Sequence, residues 1–536
     1  MKKVILALVL PLIFCSGIFA QFSESSLEYS IPLERTMMQR YEEALSAKDI
    51  SFHTAFRPWT TTELRKAIPF DSLNTFPIKD SHFNKTWFGR KLRTEHLFTV
   101  NEPDFLLTVD PLFDFSVSRE TERQENLYVN TRGARILGTL TDKFSFYTGF
   151  YETQATFPHY LDLFIGTFDV VPGQGKVKRI EGVYDYSMAF GGITYTPSQY
   201  FNVQLAHDKN FIGDGYRSLL LSDNAFNYPF LKLTANVWRF KYSVLYAQFM
   251  DLLSPHDPDI GYRKKYGTFH YLDIKIGRSL YFGFFEGVIW KSDSLGSRNF
   301  ELNYLNPVIF LRPVEASLDS PDNMMLGSNV RWKVSKRTSF YGQLLLDEFK
   351  LNEIKAGNGW WGNKHAFQVG LKSFSVAGIK NLNLQGELNF VRPYTYQHRS
   401  TLQNYAHYNQ ALAHPMGANF IEEVFLADYR IKRWHAAAKI VTAKIGMDLN
   451  GENYGNNIFE NYFSYRSQYG NYILQGRKTD FLYYELKAGY LVNPVYNFNV
   501  EIGVASRELK NNISDEKTML FTFGIRTSLF NKYYDF

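Results

Sequence analysis

Between Phe481 and Phe536 apolar and polar residues alternate with a period of two, the spacing of a strand with one face in a different medium from the other. Tyr496, Phe498, Val500, Ile502 and Val504 fall on one face, and Asn497, Asn499, Glu501, Gly503 and Ala505 on the other. The stretch before it repeats this with Leu482, Tyr484, Leu486, Ala488, Tyr490 and Val492, and the stretch after it with Met519, Phe521, Phe523, Ile525, Thr527 and Leu529. A turn at Asn493-Pro494, a longer polar loop over Glu508–Lys517 and a final Phe complete the pattern expected of an outer-membrane β-barrel. Such strands cross hydrocarbon only if the sheet closes, so the rest of the chain has to supply a full ring.

Alternation begins near Asp104 and predicts eighteen strands: 104–117, 126–140, 143–153, 182–196, 199–207, 229–236, 238–250, 265–276, 280–291, 324–335, 338–350, 365–376, 381–392, 418–431, 434–448, 479–492, 495–507 and 518–530. Leu382, Leu384, Leu388 and Phe390 alternate with Asn383, Gln385, Glu387 and Asn389, and Leu326, Val330, Trp332 and Val334 with Asn329, Arg331 and Lys333. Short turns, such as Thr141-Asp142, Gly277-Arg278 and Lys432-Arg433, fall at every second junction and long loops at the others. This predicts one short-turned, periplasmic end and one long-looped, extracellular end. The stretch 292–323, with LNYLNPVIFLRPVE, leaves the count open, because it could span or fold inward.

Residues 21–100 do not alternate. Leu33, Met37, Tyr41 and Leu45 repeat every four residues and predict a helix, and Thr60 with Glu63 predicts a capping box opening a second helix through Ile68. The expected organisation is a signal peptide over 1–20, a periplasmic helical, plug-like segment over 21–100 and the barrel over 101–536. Met1-Lys2-Lys3, an apolar run to Phe14 and the Ala20-Gln21 exit carry the signal-peptide reading; the only cysteine, Cys15, lies inside it, with lipidation there as the alternative.

Composition then changes little. Aromatic residues are 17% of the chain, which interfacial girdles account for, and the mean hydropathy of -0.28 suits strands with one polar face. No apolar run reaches the length of a membrane helix. The net charge of +6 fits an anionic surface or ordinary solvated loops. Nothing suggests nucleic-acid reading.

Two loop stretches stand out: FIGDGYRSLLLSDNAF, Phe211–Phe226, and PYTYQHRSTLQNYAHYNQALAHPMGANF, Pro393–Phe420. With YLNPVIFLRPVE (Tyr304–Glu315) and WFGRKLRTEHLF (Trp87–Phe98), they resemble the capsule-assembly Wzi-like family of outer-membrane proteins, in particular the Bacteroidetes subgroup that includes the gliding-motility protein RemB. The resemblance runs from about residue 30 to the end. It implies an eighteen-stranded barrel with a small periplasmic helical bundle, a non-enzymatic lectin role anchoring capsular polysaccharide, and an outer-membrane location in a Bacteroidetes-like Gram-negative cell. It maps no individual glycan contact.

From the residues themselves, a sugar site needs rings for the apolar C–H faces and planar polar groups for the hydroxyls. Trp360, Trp361, Tyr394, Tyr396, His398, Tyr405, His407 and Tyr408 meet that description. The alternative is that these rings pack the long loop into the barrel mouth. Asp214 and Arg217 are candidates too, either toward glycan or as an ion pair fixing an inward loop, as are Arg312 and Glu315 for such a pair. His398, His407 and His414 lack the spacing and the carboxylate of a metal site, and there is no GxSxG segment, so no cofactor, metal or catalytic residue is expected. The expected state is a monomer with surface polysaccharide, outer-membrane lipids and the barrel-assembly machinery as partners. Two other functions stay open: a component of gliding or secretion machinery recruiting proteins, and a porin-like passive channel.

Overall fold

The computed structural model describes residues 27–47, 49–76, 80–141, 143–254, 256, 258, 261–291, 301–308, 322–527 and 530–536. The signal-peptide stretch, Cys15, Arg312, Glu315 and most of 292–323 lie outside the described residues.

Eighteen antiparallel strands form the wall. They are β1 Phe105–Glu120, β2 Asn126–Leu140, β3 Phe144–Ala155, β4 Val183–Ser198, β5 Phe201–Asp208, β6 Tyr228–Val237, β7 Phe240–Asp251, β8 Arg263–Ile276 and β9 Leu280–Lys291. They continue as β10 Asn323–Lys333, β11 Thr338–Glu348, β12 Lys364–Ser373, β13 Leu382–Val391, β14 Phe420–Ile431, β15 Trp434–Met447, β16 Arg477–Asn493, β17 Phe498–Lys510 and β18 Asp515–Thr527. Each pairs with its neighbour in sequence, and β18 returns to β1 in the register Leu520↔Glu120 to Arg526↔Asp114. The closed ring expected from the alternation is therefore present, and every strand of it has two partners.

The wall is inverted relative to a soluble protein. Outward Trp332, Phe521 and Ile502 are 50%, 49% and 59% exposed, whereas inward Asn329, Lys333, Glu387 and Asn389 are all buried. Among the described residues, three parts of the same chain fill the lumen against these polar residues. The first is the amino-terminal segment, where α1 Arg35–Leu45 turns Tyr41 and Leu45, with Met38 in place of the expected Met37, into a cluster with Leu33, Trp59 and Leu64; Met37 is buried outside that cluster. Its far end meets the wall at Lys333, whose Nζ donates to the carbonyls of Leu45, Ala47 and Ile50 at 2.7, 2.9 and 3.0 Å, a cation where the helix dipole is negative. The side of α1 is tied by Arg35 to Asp428 (2.7 Å) and by Glu42 to Lys372 (2.9 Å). Helix α2 Thr61–Ala67 has the expected capping box, and its Glu63 also meets wall Lys241. The second part is a pair of inward loops, described below.

The third part corrects the sequence reading of the last strand. The described strand is Asp515–Thr527, residue 530 is already outside the ladder, and Phe530–Phe536 runs up inside the lumen. Lys532 pairs with Asp114 of β1 (2.9 Å), the Tyr533 hydroxyl donates to Asp223 (2.7 Å), and the Phe536 ring meets Phe164 of an extracellular helix, His159–Phe168. The final Phe is thus a lumenal residue, not a lipid-facing one. The wall place it vacates is extended by Phe98–Glu102, which pairs with Phe105–Val109 of β1. Two boundaries also differ. Tyr496 sits buried in the β16–β17 turn with its hydroxyl donating to the Lys91 carbonyl (3.1 Å), so its apolar character served a contact and not the strand. The expected loop Glu508–Lys517 is a tall hairpin whose connection is only residues 511–514, because cross-strand Glu508–Lys517 (3.0 Å) and Lys510–Asp515 (3.5 Å) pairs carry the ladder into water.

Substituting Lys333→Met removes the donor from one buried and two partly buried carbonyls, and we expect it to cost the plug about 1–3 kcal/mol. Protease cleavage within residues 27–97 under increasing urea should then begin before the barrel itself unfolds, as read by its mobility in unheated SDS gels.

Candidate functional site

The loop between β5 and β6 crosses the lumen. It carries almost no secondary structure, so its backbone groups need partners elsewhere, and the wall's inward side chains provide them. Glu387 of β13 accepts from the N–H groups of Tyr216 (2.8 Å) and Arg217 (3.1 Å), and Gln343 of β11 accepts from that of Leu219 (2.8 Å). This explains the Gly213-Asp214-Gly215 run. A Cβ on Gly213 would lie 2.5 Å from Gln343 Nε2 and one on Gly215 2.5 Å from Glu387 Oε2, so only glycine lets the loop approach.

Asp214 and Arg217 do not pair with each other, contrary to one expectation. Asp214 accepts from Asn329 Nδ2 (3.1 Å) and from the Thr54 hydroxyl, toward the amino-terminal segment. Arg217, 1% exposed, donates to Glu422 of β14 through Nε (3.1 Å) and Nη2 (2.9 Å) and to Asp535 through Nη1 (3.2 Å). Two carboxylates converge on one guanidinium from different segments, and the loop is too irregular to aim both its charged residues at one wall.

The second singled-out loop, residues 392–419 between β13 and β14, folds down onto the first. The rings of Tyr396 and Tyr405 stack with centroids 5.6 Å apart, and their hydroxyls donate to consecutive carbonyls, Tyr396 to Leu219 (2.8 Å) and Tyr405 to Leu220. The Ser222 N–H donates to the Leu412 carbonyl (2.7 Å). His407 lies among Phe226, Tyr228 and Phe249; Nδ1 accepts from the Met250 N–H (3.0 Å) and Nε2 faces the Asn227 carbonyl (3.2 Å), which sets a neutral ring with its proton on Nε2. His414 instead meets Glu422 (2.7 Å), and His398 accepts from the Ser400 N–H (3.4 Å). The three histidines have separate partners. Burial pushes both His398 and His407 down to about 3.

Of the ten candidates, all but Tyr408 are buried, and Tyr394, Tyr396, Tyr405 and Arg217 offer no surface to a polymer. Trp360 and Trp361 form the edge of an arrangement the sequence reading did not select. Loop 449–476 lies against loop 349–363 through bonds from the N–H groups of Gly470 to Asn358 (2.9 Å) and Asn471 to Gly359 (2.8 Å). There Trp361 stacks on Tyr465 (4.8 Å, 16°) and leans on Tyr462 (4.9 Å), and Phe463, Tyr469 and Tyr472 stand 61%, 42% and 57% exposed. Arg466, paired with Glu452 at 3.2 Å, and exposed Gln468 lie in the same loop. Asn461–Gly476 has the same Tyr, Asn and Gln richness as the loop that was singled out, so composition alone could have found it. The outer face therefore presents an aromatic shelf with polar neighbours, standing on two loops locked into the lumen.

No family model and no curated protein matches this chain. Solved structures do. Wzi of Escherichia coli, an outer-membrane protein involved in group 1 capsule assembly and a carbohydrate-binding β-barrel, is 13% identical, with a TM-score of 0.56 over 93% of this chain and 100% of its own. OprD of Pseudomonas aeruginosa is 9% identical (TM-score 0.42, 78% of this chain and 94% of its own), and OccAB2 of Acinetobacter baumannii 10% identical (0.42, 78% and 97%). The fold is that of the outer-membrane barrels.

Two outcomes follow from the lock. Arg217→Ala takes the guanidinium from Glu422, which keeps the His414 contact (2.7 Å), while Asp535 retains Lys439 (3.0 Å), and should destabilise the filled lumen by about 3 kcal/mol, with Arg217→Lys intermediate because it lacks the fork; urea titration followed by unheated gel mobility measures it. His398 and His407 have folded values far below the ordinary 6.5, so their contribution is complete above pH 6.5 and is lost as pH falls toward 3. Limited proteolysis within residues 392–419 should increase over that interval, and His407→Gln should weaken the increase.

Proposed function

We propose that this chain holds surface polysaccharide at the extracellular end of an outer-membrane barrel, as a non-enzymatic binding protein. The observation that carries this reading is the pairing of a filled lumen with an exposed aromatic shelf. Sugars offer apolar C–H faces to rings and hydroxyls to planar polar groups, and exposed Phe463, Tyr469 and Tyr472, backed by Tyr465 and buried Trp361, supply both beside Arg466 and Gln468. Trp360 and Trp361, both buried, back the exposed rings of the shelf. Tyr394, Tyr396, His398, Tyr405 and His407, with Asp214 and Arg217, act beneath the shelf as its supports, and Tyr408 lies at their edge. Similarity to Wzi, itself a carbohydrate-binding barrel, supports the same reading.

A passive channel fits less well. The lumen contains α1, two long loops and Phe530–Phe536, and its remaining space includes a cavity of about 290 Å3 crossed by the ion pairs Arg526–Glu501, Lys487–Glu485 and Lys532–Asp114. A solute path needs a continuous wet lumen.

In-frame deletion of the gene should move intact polysaccharide from the cells to the medium. Complementation with a Tyr469→Ala, Tyr472→Ala double variant that still forms the heat-modifiable barrel should fail to restore retention. Unchanged retention on deletion would overturn the proposal. Steady conductance of the purified barrel in planar bilayers would then favour solute passage, and loss of cell spreading would favour a role in motility.

A further inference from the structure

Immediately before the barrel, α3 Phe70–Leu73 is followed by two short helices, α4 His82–Lys85 and α5 Trp87–Arg93, that do not enter the lumen core. They meet so closely that a Cβ on Gly89 would lie 1.8 Å from the Phe83 carbonyl oxygen. Backbone thus occupies the inner side of this pair, and the large rings are left outside. Phe83, Trp87 and Phe88 are 42%, 60% and 59% exposed. Soluble surfaces scatter single apolar residues, whereas here several large ones adjoin.

The place of this pair is fixed by the short-turn rim. Asn493 Nδ2 donates to the carbonyls of Lys91 (2.9 Å) and Glu95 (3.0 Å), Tyr496 donates to Lys91, and Arg433 Nη1 donates to the Arg93 carbonyl (3.2 Å), so α5 is bolted to the β14–β15 and β16–β17 turns. Leu97 and Phe98, both exposed, then lead outward into the wall, where Phe98 lies opposite outward-facing Val109. At the same rim exposed Trp434 leans on Tyr490 (4.9 Å) as part of the barrel's aromatic girdle. A seven-residue helix spans only about 10 Å, so the rings of α5 lie within one helix length of that girdle. Between residues 80 and 95 stand Lys85, Arg90, Lys91 and Arg93 against Asp80 and Glu95; Lys85 pairs with Asp80 (3.0 Å) and Arg90 and Lys91 share Glu95 (2.8 and 3.0 Å), exposed or partly exposed pairs of little strength that leave a net basic excess.

We propose that α4 and α5 form an interfacial anchor outside the barrel, with Phe83, Trp87 and Phe88 inserted at the headgroup level of the periplasmic leaflet and Lys85 and Arg90 meeting its anionic phospholipids. Indole and phenyl rings favour that depth, and neighbouring cations are attracted by the negative surface potential. The anchor would set the barrel's depth and tilt from one side, independently of what its outer loops bind.

The test uses the full chain in vesicles of phosphatidylethanolamine and phosphatidylglycerol with brominated acyl chains. The emission lost on Trp87→Phe isolates Trp87 from the other tryptophans. This difference emission should fall by about half or more in brominated relative to ordinary vesicles, as expected for an inserted interfacial ring, and be shielded from aqueous iodide. Lys85→Gln with Arg90→Gln should weaken the quenching in these vesicles more than in pure phosphatidylcholine. Quenching by iodide but not by bromolipid would overturn the proposal and leave a surface facing water or a soluble partner. Shielding from both quenchers would overturn it equally, by showing the ring packed on protein.

Discussion

Backbone hydrogen bonds cannot be left open in hydrocarbon, and the rest of this structure depends on how that constraint is met. The ladder closes between β18 and β1, and closure with a period of two forces half of each strand inward. Those inward positions are polar here, and they are buried, so each needs a partner. The chain supplies the partners from itself. Lys333 finds helix-end carbonyls, Gln343 and Glu387 find loop N–H groups, and Asp114 finds Lys532.

The filling is therefore organised by wall chemistry more than by a conventional apolar core. Arg217 shows how the pieces are joined, because one guanidinium links a loop, the wall at Glu422 and the lumenal segment at Asp535. A network of that kind is expensive to interrupt, since removing one member strands buried charge. It is also what makes the extracellular loops rigid enough to present rings in a set geometry. Tyr396 and Tyr405 spend their hydroxyls on the loop below and leave the shelf around Trp361 and Tyr465 at the top.

Both proposals place function at the surfaces, because the lumen is occupied. The outer surface carries stacked rings with polar neighbours, suited to a polymer of hydroxyls and C–H faces. The opposite rim carries rings with cations, suited to lipid headgroups. The two aromatic groups differ in what holds them, long loops resting on the filled lumen for one and short helices fixed to the strand turns for the other, and we propose a different partner for each on that ground.

How much of this was legible follows from the range of each interaction. Strand number, antiparallel order, the α1 face and the Thr60–Glu63 capping box were readable, because each depends on residues two to four apart. The aromatic loop at 461–476 was readable from composition and was missed. The fate of Tyr396, Tyr405 and His407 was not readable, nor the separation of Asp214 from Arg217, nor the inward course of Phe530–Phe536. Their partners lie far away in sequence, and a Tyr that stacks on a sugar has the same letter as one that holds a carbonyl. The sequence by itself determined the closed wall, through local alternation enforced by the membrane. Only the tertiary structure decided what fills that wall and which rings remain outside, because those outcomes depend on competition among distant segments for the same inward polar groups.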